Sequence, residues 1–195
     1  MLQKKLKDYH IILASGSPRR QRFFTDFDIN FTIEVREVDE VFPDHLQAEE
    51  ITDYLAVLKA NAFTNLQDKD ILITSDTIVW HQNKAIGKPK DKEEARKMIA
   101  SLSDTSHYVF TSVCFKTIHS IKVIHQKTKV TFKKLSEEEI QYYVDTFSPL
   151  DKAGAYGIQD WIGLIGIKKI EGDFYNVMGL PTSLVYETLT AMVTS

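Results

Sequence analysis

The sequence predicts a mixed α/β fold, a twisted and partly antiparallel sheet with flanking helices, on three observations. Short apolar runs are interrupted repeatedly by stretches of helical periodicity, the pattern of layered helices on a sheet rather than of an all-helical or all-β fold. Residues 107–118 and 121–132 read as two long strands joined at His119 and Ser120, a link too short for a parallel crossover, so part of the sheet is antiparallel. The chain of 195 residues is long enough for one well-packed core or for two lobes, but short for two independent domains, and it is read as one domain over 1–195.

The elements follow in order. His10 to Ala14 is a short apolar run ending at a Ser/Gly/Pro cluster, as in a buried strand entering a turn. Ser17 is placed to cap a helix whose first position is Pro18, where the missing amide hydrogen costs nothing, with Phe23, Phe24 and Phe27 as its buried stripe. Residues 29–38 alternate like a strand through Ile29, Phe31, Ile33 and Val35. A helical period over 48–66 runs through Ile51, Leu55, Leu58 and Ala62 and puts Lys59 near that face. The run from Ile71 to Trp80 is apolar at both ends and polar in the middle, which predicts a central strand broken at Ser75, Asp76 and Thr77. A tight loop is expected at Gly87, Lys88 and Pro89, followed by an amphipathic helix over 92–102 with Ala95, Met98, Ile99 and Leu102 inward. Ser136 and Glu139 match a capping box for a helix through Tyr143. Glycines punctuate an apolar stretch over 154–179, and 182–192 closes the chain as a helix.

Composition narrows the function. Lys and Arg number 24 against 27 Asp and Glu, a net charge of −3, which disfavours a protein held to nucleic acid by bulk electrostatics. The single cysteine, Cys114, lies among strand-like apolar neighbours, so no disulfide framework exists and a reducing cytoplasm fits. Its surroundings favour packing over nucleophilic chemistry. Residues 1–10 lack the apolar core of a signal peptide, and no run of about eighteen apolar residues is available to span a bilayer.

Ser15, Gly16, Ser17, Pro18, Arg19 and Arg20 set two hydroxyls, a flexible glycine, amides at a helix start and two guanidinium groups within one turn. That mixture suits a phosphate: the amides are preorganised donors and arginine offers a bidentate fork. It equally describes an ordinary helix cap followed by solvated arginines. Neither a Walker A run nor a dinucleotide-binding glycine fingerprint is present. Asp76 emerges from a strand where ligands are often met, or else caps a loop. Lys88 is held on a stiff loop or is plain surface charge, and Asp39 with Glu40 either binds a divalent ion or is merely solvated. From Asp151 to Asp160, small residues allow close backbone approach while Lys152 and Gln159 supply an ammonium and an amide; a core-crossing strand or a glycine-rich loop would look alike. The six histidines lack zinc-site spacing, and no Gly-x-Ser-x-Gly elbow supports a serine nucleophile.

Taken together, these blocks resemble the Maf proteins, nucleoside triphosphate pyrophosphatases. The match runs from Leu13–Arg20 through Asp39-Glu40, Leu55-Ala56 with Lys59-Ala60, Ser75-Asp76-Thr77, Gly87-Lys88-Pro89 and Asp151–Gln159 to Ile170-Glu171-Gly172, Asn176-Val177 and Gly179-Leu180-Pro181. The resemblance implies two lobes around a deep cleft, a Maf/ITPase-like fold, and hydrolysis between the α and β phosphates to a nucleoside monophosphate and pyrophosphate. It implies a divalent cation, Mg or Mn, held by Glu40 and Asp76, with Asp76, Glu40, Lys59 and Lys88 catalytic. Ser15, Ser17, Arg19, Arg20, Thr77, Lys152 and Gln159 are then substrate-binding. Thr77 after the aspartate resembles the branch acting on dTTP and UTP, where the branch favouring 7-methyl-GTP has glutamine. A homodimer in the cytoplasm is implied, with neither nucleic acid nor membrane as partner. The alternatives are a pyrophosphatase for modified nucleotides such as 7-methyl-GTP or non-standard purine triphosphates, and a nucleotide-binding regulatory protein of cell division. Two positions depart from the family pattern: Ser148 stands where glutamate is frequent, and Asp160 where a glycine commonly follows the glutamine.

Overall fold

The computed structural model of the chain describes residues 1–194. Helix α1 (Leu2–Lys5) precedes strand β1 (His10–Leu13), helix α2 (Pro18–Asp26), strand β2 (Thr32–Ile33), helix α3 (Glu49–Asn61) and strand β3 (Asp70–His81). Then come β4 (Lys84–Ile86), α4 (Lys92–Leu102), β5 (Ser106–Lys116), β6 (Ile121–Phe132), α5 (Glu137–Phe147) and a 3-10 turn at Ala153–Ala155. The chain ends with α6 (Trp161–Gly166), β7 (Ile167–Glu171), α7 (Phe174–Val177) and α8 (Thr182–Met192). The strands form one mixed sheet in the hydrogen-bonded order β2-β1-β3-β5-β6-β7, with β4 also on β3. β1 is parallel to β2 and β3, while β3 with β4 and β6 with β7 are antiparallel. No helix among the described residues is long and apolar enough to cross a membrane.

Two compact units share this chain: among the described residues, 1–76, 111–126 and 179–194 make the first, and 77–110 and 127–178 the second. In the first unit, Ile12, Ala56, Ala60, Phe63, Leu72 and Cys114 form a buried cluster. Ala56 and Ala60 are one helical turn apart and fully buried, so their small side chains let α3 lie close on the sheet. Cys114 is sealed in this cluster and burial pushes its thiol up to about 11, which leaves it protonated and inert. In the second unit, Val79, Ile99, Val109, Phe132, Tyr143, Tyr156 and Ile162 belong to a larger core. His107 sits in it with Nε2 2.7 Å from the Tyr156 hydroxyl, and burial lowers its pKa to about 3.

Several expectations hold, among them the strand at 10, the helices at 92–102 and 182–192, and the capping box. Ser136 accepts from the Glu139 amide at 3.2 Å while Glu139 Oε2 accepts from the Ser136 amide at 2.7 Å. Four differ. β3 is unbroken through Ser75, Asp76 and Thr77, because Thr74 meets the Ala56 carbonyl and Asp76 meets Lys59. The alternation over 29–38 yields only the two-residue strand β2, since Ile33 and Val35 face outward and nothing covers them. The helix expected over 48–66 stops at Asn61. Ser17 occupies the N-cap of α2 but its side chain caps nothing; its amide donates to Ser15 Oγ at 3.2 Å instead.

Candidate functional site

The first unit concentrates the charged candidates. Thr74 on β3 donates its hydroxyl to the Ala56 carbonyl of α3 at 2.6 Å, which locks the strand against the helix. One strand position pair further, Asp76 lies on the same face as Thr74, and Lys59 lies in the last turn of α3. The lock therefore brings Lys59 Nζ to 2.6 Å from Asp76 Oδ1. Glu40, from the irregular segment after β2, reaches the same nitrogen at 3.1 Å. Lys59 and Asp76 are largely shielded from water, whereas Glu40 is half-exposed, so the ammonium is gripped from the interior and approached from solvent.

The turn after β1 packs beside this group. Ser15 is buried, its carbonyl accepts from Gln21 Nε2 at 3.0 Å, and its hydroxyl accepts from the Ser17 amide. Arg20 donates from Nε to the Gly179 carbonyl at 2.8 Å and from Nη1 to the Ser75 carbonyl at 2.9 Å. It thus ties the start of α2 to the backbone immediately before Asp76. Burial pushes the Arg20 guanidinium below its ordinary value; Asp76 opposes the shift, Arg19 adds to it and Glu40 opposes it again. A guanidinium retains its proton near neutrality all the same, so Arg19, Arg20 and Lys59 set three cations against two carboxylates. Such a surplus of positive charge beside helix-start amides is suited to a polyanion.

The second unit carries the remaining candidates. Thr77 follows Asp76 along β3. Lys88 is exposed on the loop between β4 and α4, where the Gly87 carbonyl accepts from the Gly154 amide at 3.0 Å and joins that loop to the glycine-rich segment. Gly154 needs its left-handed backbone, φ 68, and a Cβ there would lie 2.8 Å from Val79 Cγ2. Lys152 Nζ is 2.7 Å from Asp151 Oδ1 and 3.9 Å from Asp160 Oδ2. Gln159 is exposed, one residue before Asp160, which stands at the N-cap position of α6 without a side-chain cap. The segment is thus neither a strand nor an open loop but a 3-10 turn followed by a helix start.

The sequence reading missed three features of these sites. The Tyr143 hydroxyl donates to Asp160 Oδ2 at 2.7 Å and accepts from the Gly157 amide at 3.0 Å, and no local motif signals a tyrosine on α5 in this role. Lys116 Nζ donates to the carbonyls of Ala60 at 3.1 Å and Phe63 at 3.0 Å, and Arg36 Nη1 to that of Ala62 at 2.7 Å, closing the C-terminus of α3 directly after Lys59. The turn before β4, with Gln82 at φ 50 and Asn83 at φ 59, was signalled by Asn83 between two apolar runs.

Among the described residues no three His, Cys, Asp or Glu side chains gather where a metal could be held. Glu40 and Asp76 nonetheless bring two carboxylates together, each with one oxygen within 3.1 Å of the Lys59 ammonium. Magnesium and manganese favour hard oxygen ligands and are commonly held by one or two carboxylates, with water and substrate phosphates completing the shell. Two carboxylates are the donor chemistry such an ion takes.

Residues 10–192 match the family described as Maf-like protein. A dTTP/UTP pyrophosphatase of Flavobacterium johnsoniae is 59% identical over 194 residues, covering 99% of this chain and 100% of its own. One from Christiangramia forsetii is 60% identical over 196 residues with 100% of both chains covered, and one from Bacteroides thetaiotaomicron is 47% identical over 186 residues, 94% of this chain and 96% of its own. The solved structure of the Staphylococcus aureus Ham1 protein superposes with a TM-score of 0.51 at 17% identity, over 94% of this chain and 99% of that one, a likeness of fold. On the family match and on relatives of such identity along nearly the whole length, this chain belongs to the Maf-like protein family.

Proposed function

We propose that the chain is a nucleoside triphosphate pyrophosphatase that hydrolyses dTTP and UTP to the monophosphate and pyrophosphate. The observation that carries this reading is the Lys59 ammonium clasped by Asp76 and Glu40 beside the arginine-bearing turn, a balance of charges suited to a triphosphate rather than to a neutral substrate. The relatives named dTTP/UTP pyrophosphatase support the substrate class.

Phosphoanhydride cleavage is catalysed chiefly by positioning and charge neutralisation. Ser15, Ser17, Arg19 and Arg20, with the amides at the start of α2, hold phosphate oxygens. Lys59 neutralises charge on the phosphates and, held from both sides, pays little reorganisation when substrate arrives. Asp76 orients the attacking water and Glu40 shares its cation. Glu40 and Asp76 would hold a divalent ion, Mg or Mn, which would supply further charge neutralisation and lower the pKa of a bound water. The roles of Lys88 and Lys152 toward phosphate, and of Thr77 and Gln159 toward base or sugar, rest on the family resemblance. The enzyme is further proposed to act in the cytoplasm as a homodimer.

A panel of nucleoside triphosphates, normal and modified, assayed for pyrophosphate with and without Mg or Mn, tests the proposal. Preference for dTTP and UTP with metal is expected; preference for 7-methyl-GTP would replace the substrate assignment, and binding without turnover would replace the enzyme by a nucleotide-binding regulator.

A further inference from the structure

Asp160 lies outside the charge cluster, yet its carboxylate organises the segment bearing Gln159. Its Oδ2 accepts from the Tyr143 hydroxyl at 2.7 Å, and that hydroxyl, fully buried, accepts in turn from the Gly157 amide at 3.0 Å. Lys152 Nζ stands 3.9 Å from the same oxygen. The carboxylate is thereby fixed from two sides while its residue opens α6. A Cβ on Gly157 would lie 2.5 Å from Asp160 Oδ2 and 2.9 Å from Gln159 Nε2, so the carboxylate and the amide crowd one small space that only glycine leaves open. The NH2 end of the Gln159 amide is the end that borders this space, on the side of a carboxylate that accepts hydrogen bonds and donates none.

We infer that Asp160, braced by Tyr143, is a positioning residue that fixes which end of the Gln159 amide meets the nucleobase and so sharpens the selection of uracil and thymine over cytosine. The inference rests on the proposed pyrophosphatase activity and on Gln159 facing the base. Uracil and thymine carry a donor N3–H, which an outward amide carbonyl accepts; cytosine has an unprotonated acceptor at N3, and two acceptors facing each other leave both unsatisfied. Buried polar groups left unpaired in this way give strong discrimination.

The test compares kcat/KM for UTP and CTP in the wild type, Asp160→Asn and Tyr143→Phe, with melting temperatures recorded alongside. The wild type should favour UTP. Asp160→Asn removes the charge that orients the amide, and the UTP to CTP ratio should fall at least tenfold. Tyr143→Phe, which leaves the carboxylate but loosens it, should lower the ratio at least threefold. A role in folding alone would slow both substrates equally and leave the ratio intact. An unchanged ratio in folded Asp160→Asn overturns the inference while leaving the activity standing; if that variant does not fold, an unchanged ratio in Tyr143→Phe does the same. A wild type without hydrolysis of UTP overturns the activity and the inference together.

Discussion

At the residue scale, Lys59 is the pivot of the charge cluster because its ammonium meets both carboxylates. Removing it as Lys59→Met leaves Asp76 and Glu40 repelling each other where phosphate must approach. We expect kcat/KM for UTP to fall by about 100-fold or more, comparable to the loss of one preorganised donor to a transition state, measured by steady-state pyrophosphate release. Asp76→Asn keeps the shape and most hydrogen bonding of the side chain while removing its charge. If Asp76 acts mainly in the transition state, turnover should vanish while nucleotide affinity stays within about tenfold of the wild type, a pattern that pairing calorimetric titration with the kinetic assay would expose. Near-normal turnover by this variant removes Asp76 from the chemistry.

Asp76 also shows what the sequence conveyed and what it withheld. Its place in the Ser75-Asp76-Thr77 block made it a candidate, but the polar block also suggested a broken strand. The strand is continuous because Thr74 finds the Ala56 carbonyl and Asp76 finds Lys59, partners that lie 18 and 17 residues away in the chain and leave no local trace. Ser17 shows the converse. Its position before Pro18 correctly marked the start of α2, while its side chain makes no cap and its amide donates to Ser15 Oγ, two residues back.

At the element scale, α3 matters for how it ends. Lys116 and Arg36 donate to the carbonyls of Ala60, Ala62 and Phe63 at the helix end, and their positive charge complements the helix dipole. Lys116→Met retains much of the aliphatic stem and removes the donor; a loss of about 1–2 kcal/mol is expected from denaturant unfolding. The capping box of α5 gives an independent check, since Ser136→Ala should cost about 1 kcal/mol with no change in the UTP to CTP ratio. This box, the helix at 92–102 and the closing helix were legible because caps and a 3.6-residue period are local signals. The end of α3 was not, because Lys116 comes from β5 and nothing near Asn61 in the sequence announces it. Strand β2 was overestimated for a related reason: alternation through Ile33 and Val35 identifies a possible strand, but only a covering neighbour makes it a long one.

At the scale of the whole molecule, the fold class and the family followed from ordered blocks spread along the chain, whereas the links among those blocks had to be seen in three dimensions. Tyr143 is the clearest case, named from the sequence only as the end of a capped helix, whose hydroxyl holds Asp160 and Gly157. Global stability should also carry the mark of one buried group. His107 stays neutral in the folded protein down to about 3, while in the unfolded chain it takes a proton near its ordinary value of 6.5. The unfolded state therefore binds more protons between these values, and stability present above about 6.5 is lost as pH falls toward 3, at up to about 1.4 kcal/mol per pH unit. Unfolding curves for the wild type and His107→Gln across that window should differ in slope, the variant being the flatter; parallel curves would exclude His107 as the source.

The central claim is cleavage between the α and β phosphates by a charge cluster built on Lys59, Glu40 and Asp76. Product analysis of UTP incubated with the protein and manganese, followed by phosphorus NMR, tests it most directly. UMP and pyrophosphate appearing in equal amounts is the predicted result; UDP with orthophosphate, or intact UTP, would contradict it.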